Sequence, residues 1–176
     1  MDTATLAAYL FTAMKFWSPL TNHAYRENIA ITEARYLQIA NDVAEQVLDP
    51  TEMPLFAGED GRAQTGIYVL ATGSFESGGF RADVQFCEST GGGDSGRSWG
   101  LFQDQMDSKD ASCLSMRQAT HLAIKHIRRS FEDCANLPQE ERLAEYASGS
   151  CGAGRKASAT RVLRAMNYWR DHKPTK

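Results

Sequence analysis

Apolar residues recur three and four positions apart through most of the chain, and that period restricts it to a largely helical fold. From Thr32 to Leu48 the stripe is Tyr36, Ile39, Ala40, Val43 and Val47, with Glu33, Asn41, Asp42 and Glu45 facing elsewhere. The same spacing predicts a helix from about Arg62 to Phe75, with Ile67, Leu70, Ala71 and Phe75 inward. Another runs from Met116 to Cys134, with Ala123, Ile127, Phe131 and Cys134 on one face. The last spans Ser158 to Arg170, with Val162, Leu163, Met166 and Trp169 inward. An N-terminal helix from Thr3 to Phe16 is limited by Pro19, and Pro138 fits the first turn of a short helix through Tyr146.

The period stops between residues 78 and 100. This stretch holds Gly78, Gly79, Gly91, Gly92, Gly93, Gly96 and Gly100, half of the chain's 14 glycines. It reads as loop, with room for a short hairpin around Val84 to Cys87. Loops of that length inside a compact domain are usually functional. No repeat, heptad series or low-complexity linker divides the 176 residues, so the expectation is a single domain over 1–176. Residues 1–60 supply its N-terminal helices and 61–176 its core.

Charge and cysteine usage narrow the function classes. The net charge is −3 with both signs scattered. The one dense basic run, Lys125, His126, Arg128 and Arg129, has the look of a solvated helix face, so nucleic acid is not an expected partner. No segment approaches the run of about 20 apolar residues that a membrane span needs. Asp2 ahead of the first apolar segment and Lys15 within it do not suit a cleaved export signal, which predicts synthesis in the cytoplasm without one. Cys87, Cys113, Cys134 and Cys151 lack metal-site spacing, so no metal or other cofactor is expected. They are either buried thiols or two disulfides formed in an oxidising compartment. The even count favours disulfides and leaves all three pairings open.

The chemistry-bearing residues border the glycine-rich loop. Glu76 stands at the predicted end of a helix, between Phe75 and Ser77, with Phe80 close by. A carboxyl half-buried against aromatic surface prefers its neutral form, the state from which it protonates a leaving oxygen. Asp94, between Gly93 and Ser95, is expected to be solvated and ionised. Two carboxyls whose surroundings push their proton affinities apart form the acid and base of a glycosidase. Taken singly, Glu76 is more commonly a surface carboxylate at a helix end, and Asp94 a turn residue capping local amides.

Their setting is more specific. The string Gly-x-Gly-Asp-x-Gly-x-x-x-Gly-Leu-x-Gln, from Gly91 to Gln103, resembles the signature of goose-type lysozymes and the related soluble lytic transglycosylases. Glu76-Ser77 resembles the Glu-Ser that holds their catalytic acid. Glu145-Tyr146-Ala147-Ser148-Gly149 resembles the Ala-Tyr-Asn-Ala-Gly segment lining their glycan groove. The blocks cover residues 70 to 150 and come in the family's order. The resemblance implies a mostly α, lysozyme-like (goose-type) domain with a Gly-rich active-site loop, in which 61–176 is the catalytic core. It implies cleavage of the β-1,4 bond between N-acetylmuramic acid and N-acetylglucosamine in peptidoglycan, without a cofactor. Glu76 would be the general acid, and Asp94 would position or activate water. Ser77, Trp99, Gly100, Phe102, Gln103 and Tyr146 would line the glycan site.

Two positions depart from the family pattern. Gln105 stands where the family has a further Asp, which makes neighbouring Asp104 the substitute candidate for positioning water. Ala147 stands where it has Asn. Both departures bear on the water, not on the acid. The rival chemistry on the same Glu76 is lytic transglycosylation to 1,6-anhydromuramic products, and the rival class is a non-catalytic glycan-binding module. A Cys87 or Cys113 nucleophile with His121 or His126 has no local support, and no H-E-x-x-H spacing suggests a zinc peptidase. Trp17, Trp99, Tyr168 and Trp169 are the aromatics available to stack on sugars, with Trp169 assigned to the core by its helical spacing. A wall-cutting enzyme without an export signal needs a dedicated route to the periplasm. The expected one is type VI secretion as an antibacterial toxin, with a cognate immunity protein that plugs the cleft. The alternative is a phage endolysin or virion-associated lysozyme.

Overall fold

A computed structural model of the chain describes residues 1–20, 28–88, 98–105 and 115–174, with residues 104 and 105 described in backbone only. It is mostly helical, 67% helix with almost no strand. The elements are α1 (Thr3–Trp17), α2 (Ile29–Leu48), α3 (Gly61–Glu76), α4 (Ala82–Gln85), strands β1 (Ser98–Trp99) and β2 (Asp104–Gln105), and α5 (Met116–Asp133). A 3₁₀ turn (Gln139–Glu141), α6 (Ala144–Ser148) and α7 (Arg155–His172) follow.

Helices α1, α2 and α5 begin where the sequence offers capping side chains. Asp2 accepts from the Thr5 amide, and Asn28 from those of Ala30 and Ile31. Ser115 and Gln118 form a reciprocal capping box at the start of α5. The expected stripe of α2 is buried in full: Tyr36, Ile39, Ala40, Val43 and Val47.

Helix α3 is the centre of the molecule, with α1, α2, α5 and α7 packed around it. Twelve of its sixteen residues are buried, on all sides rather than along one stripe. Small residues make this packing possible. A Cβ on Gly66 would meet Leu10 of α1 at 3.1 Å, and one on Gly73 would meet the Phe102 ring at 2.8 Å. The hydroxyls of Thr65 and Thr72 donate to the carbonyls of Gly61 and Tyr68 one turn earlier, so their burial leaves no polar group unmet.

Three local expectations are corrected. Residues 84–87 do not form a hairpin: Ala82–Gln85 is one helical turn, and the hairpin lies at 98–105. There Ser98 pairs with Gln105 and Trp99 with Asp104, antiparallel. The helix expected from Pro138 through Tyr146 is split in two. Ser130 Oγ donates to the Arg142 carbonyl and accepts from the Tyr146 amide, while Ser158 Oγ accepts from the Leu143 amide and donates to the Glu140 carbonyl. These bonds replace the helical ones between the 3₁₀ turn and α6. In α7 the buried face is Ser158, Val162, Ala165 and Tyr168, and Leu163, about 100° around the helix from Val162, is 43% exposed.

Cys134 and Cys151 form a disulfide, with Cα atoms 5.5 Å apart, which closes the segment carrying the 3₁₀ turn and α6. Cys87 is disulfide-bonded as well, so the thiol reading fails for every described cysteine. Cys113 lies outside the described residues. No helix among the described residues is long and apolar enough to cross a membrane.

Candidate active site at the end of the central helix

Glu76 is the last residue of α3, and the chain leaves it through a strained turn. Gly78, Gly79 and Phe80 all have positive φ, 62°, 92° and 59°. That conformation is open to glycine but costly for phenylalanine. The turn is held from the N-terminal side of the chain. Ser18 Oγ donates to the Gly79 carbonyl, and the Tyr36 hydroxyl lies 3.0 Å from Ser18 Oγ and 3.2 Å from the same carbonyl. Arg35 Nη1 donates to the Phe80 carbonyl at 2.8 Å and to Gln85 at 2.9 Å. Phe80 is fully buried, its ring edge-on to Tyr36 at 5.5 Å. Helices α1 and α2 therefore brace the turn that aims Glu76.

The hairpin 98–105 packs on the same end of α3. Leu101 and Phe102 are buried, and the Phe102 ring covers Gly73, one helical turn before Glu76. Gly100 and Gln103 have φ of 74° and 51°, and Gln103 Nε2 donates to the Gly100 carbonyl at 2.9 Å, which closes the tip. Tyr146 of α6 reaches this tip: its hydroxyl donates to the Phe102 carbonyl at 2.6 Å. Elements far apart in sequence, α3, the hairpin and α6, are thus joined at one place by Gly73, Phe102 and Tyr146.

Helix α7 supplies residues that the sequence reading did not single out. Arg161 donates from Nε and Nη2 to Oε1 of Glu76 at 2.9 and 2.7 Å. The pair is largely withdrawn from water, with side chains 11% and 17% exposed. Glu76 thus sits in an ion pair as well as beside Phe75, not in the purely aromatic surround expected. Arg164, one turn on, donates to Ser74 Oγ at 2.7 Å and lies over the Phe75 ring at 4.1 Å. Burial pulls its guanidinium below the ordinary value. The three-residue spacing of Arg161 and Arg164 on one helix face was the only signal for this pair in the sequence.

The remaining site candidates divide. Ser77, expected to touch sugar, is almost fully buried: its hydroxyl donates to the Gly73 carbonyl and accepts from the Phe80 amide, which ends α3. The Phe102 side chain is likewise beneath the site, as packing. Trp99, Gln103 and Tyr146 keep partial exposure, and Gly100 is buried at the hairpin tip. Asp104 occupies β2 opposite Trp99. Asp94 lies outside the described residues. Trp169 packs edge-on to Tyr9 at 6.2 Å, as a partly buried core residue.

Beyond Arg164, a depression of ≈ 470 Å³ opens between the end of α1 and α7, lined by Phe16, Trp17, Asn167, Tyr168, Asp171 and His172 as well as Arg164. Tyr168 is buried at its base, stacked on His172 at 4.5 Å, whereas Phe16 is 62% exposed. The depression does not include Glu76, and Arg164 is its link to the end of α3. Among the described residues no cluster of His, Cys, Asp and Glu is arranged to hold a metal ion.

No known protein family, curated protein or solved structure matches the chain.

Proposed function

We propose that the chain is a peptidoglycan muramidase with a lysozyme-like helical domain, in which Glu76 is the general acid. The observation that carries this reading is the convergence at one end of α3. Glu76, with a largely buried carboxyl, ends that helix; the hairpin bent by left-handed backbone at Gly100 and Gln103 packs on it where Phe102 covers Gly73; and Tyr146 of a distant helix bonds the hairpin. Those are the segments whose residues resemble the goose-type signature, and they are separated by up to 70 residues in sequence. The described parts of those blocks, residues 76–77, 98–103 and 145–149, lie on elements that pack on one another, which supports the reading.

Glu76 would protonate the glycosidic oxygen between N-acetylmuramic acid and N-acetylglucosamine. Asp94 would take a proton from water attacking the opposite face of the sugar. Inversion of this kind needs the carboxyls to stand about 6.5–9.5 Å apart, with the water between them. Trp99 and Tyr146, partly exposed on the hairpin and on α6, are the groups available to contact a sugar ring, and Asp104 is the second candidate for positioning water. Action in the periplasm follows from the substrate. Delivery as an antibacterial toxin by a type VI machine, with an immunity protein occluding the cleft, is the route we favour over phage release. The disulfide Cys134–Cys151 suits an oxidising compartment.

The test is digestion of purified peptidoglycan by wild type and Glu76→Gln, with products read by mass. Reducing-end muropeptides from wild type and none from the variant are expected. Products lighter by one water would replace hydrolysis with transglycosylation. An undiminished Glu76→Gln would end the assignment of the acid.

A further inference from the structure

We propose that Arg161 is the positioning residue of Glu76: it clamps the resting carboxylate against α7, and the clamp has to loosen before the carboxyl can carry the proton. The proposal rests on the muramidase reading for its kinetic consequence but on geometry for its premise. Both Nε and Nη2 address the same oxygen, Oε1, at 2.9 and 2.7 Å. Arg161 is itself anchored, with Nη1 donating to the Ala157 carbonyl at 2.9 Å and the guanidinium 5.3 Å from the centre of the Phe75 ring. A planar guanidinium held at these points fixes the carboxylate's rotamer as well as its charge.

The electrostatic consequence has a definite sign. A guanidinium stays charged at any working pH, so pairing favours the ionised carboxylate. The burial of both partners weakens screening by water and salt. A general acid, by contrast, works from its protonated form. Activity that depends on this acid is lost as pH rises and the proton leaves, and a cation at Oε1 moves that loss to lower pH. Among the described residues, the titratable groups on the neighbouring elements include Arg164 on α7, Glu145 and Tyr146 on α6, and Asp104 on β2. Arg164 adds to the effect of Arg161. Glu145 is turned to Arg129 at 3.8 Å.

Arg161→Met keeps the length and much of the apolar contact and removes the charge, whereas Arg161→Lys keeps a charge without the planar fork. Two measurements are made on each variant and on wild type, after circular dichroism has verified helix content. The first is the pH profile of peptidoglycan lysis. The second, independent of activity, is the titration midpoint of the Glu76 carboxyl followed by carbon NMR, with its resonance assigned by its absence in Glu76→Gln. In Arg161→Met the alkaline limb and the NMR midpoint should both move up by about one pH unit or more, with a lower maximal rate because the rotamer is no longer fixed. In Arg161→Lys both should stay close to wild type. A uniform loss of rate with an unmoved limb and an unmoved midpoint would overturn the proposal and leave Arg161 a packing residue. If the midpoint moves but Glu76→Gln lyses as well as wild type, the clamp stands and the muramidase assignment of Glu76 falls.

Discussion

The hydroxyl of Tyr146 donates to the carbonyl of Phe102 at 2.6 Å, a bond across 44 residues that ties the α6 segment to the hairpin beside Glu76. The carbonyl is part of a tip whose side chains Leu101 and Phe102 are buried. Tyr146→Phe keeps the ring and removes the bond. The expected cost is about 1–3 kcal/mol of stability, with lysis of peptidoglycan reduced more than the fraction folded at assay temperature. Thermal denaturation and a turbidity assay on the same samples check this. An unchanged melting temperature would mean that water replaces the phenol.

The same substitution one helix away should act in the opposite direction. Tyr68 is buried in the core between Phe56 and Phe131, with ring centres at 4.6 and 6.2 Å, and its hydroxyl has no partner among the described residues. Burial pushes its phenol well above the ordinary value. Tyr68→Phe removes a polar atom that was desolvated without compensation and leaves the ring contacts in place. Stability in urea should rise by about 1–2 kcal/mol. A loss of similar size would show that the hydroxyl is satisfied after all.

Gly73→Ala sets helix propensity against packing. Alanine favours the helix by about 1 kcal/mol over glycine. Its Cβ, however, would stand 2.8 Å from Cε1 of Phe102, a buried ring with little room to retreat. Overpacking of that kind costs about 1–3 kcal/mol, so the net effect on stability is small and unfavourable. The larger consequence is displacement of the hairpin tip. We expect near-native helix content, a modestly lower melting temperature and at least a tenfold fall in lysis. Wild-type activity would show that the hairpin position is not needed.

The disulfide between Cys134 and Cys151 closes a loop with a sequence separation of 17 and holds α6, with Tyr146, between α5 and α7. Loop-closure entropy for that length corresponds to about 3 kcal/mol. The double variant Cys134→Ser, Cys151→Ser should lose about that much in chemical denaturation. Single replacement of Cys87 tests the other bond separately. A double variant as stable as wild type would show that the serine bonds from Ser130 and Ser158 hold this segment unaided.

Much of the fold was legible along the chain because helix period and capping are local. The stripe of α2 was right residue by residue, and each long helix fell within a few residues of its expected span. The expectations failed where side chains from elsewhere compete with the local backbone. Ser130 and Ser158 break the helix after Pro138, and neither is near it in sequence. The apolarity of Leu163 predicts an inward position, but the face of α7 is set by what α3 presents to it. Helix α3 itself read as amphipathic, although its central place buries it all round.

The candidate site divides along the same line. The sequence by itself determined the helices, the position of Glu76 at the end of one, the glycine-rich break after it and the residues of the Gly91–Gln103 string, since these depend on residue type and spacing. Only the tertiary structure decided that Ser77 and Phe102 turn inward, that α1 and α2 brace the turn behind the carboxyl, and that Tyr146 closes on the hairpin. It alone placed Arg161 on Glu76, across 85 residues. An ion pair of that separation leaves no periodic trace in a sequence, because it depends on the rotation and crossing of two helices, and packing of the whole core fixes both.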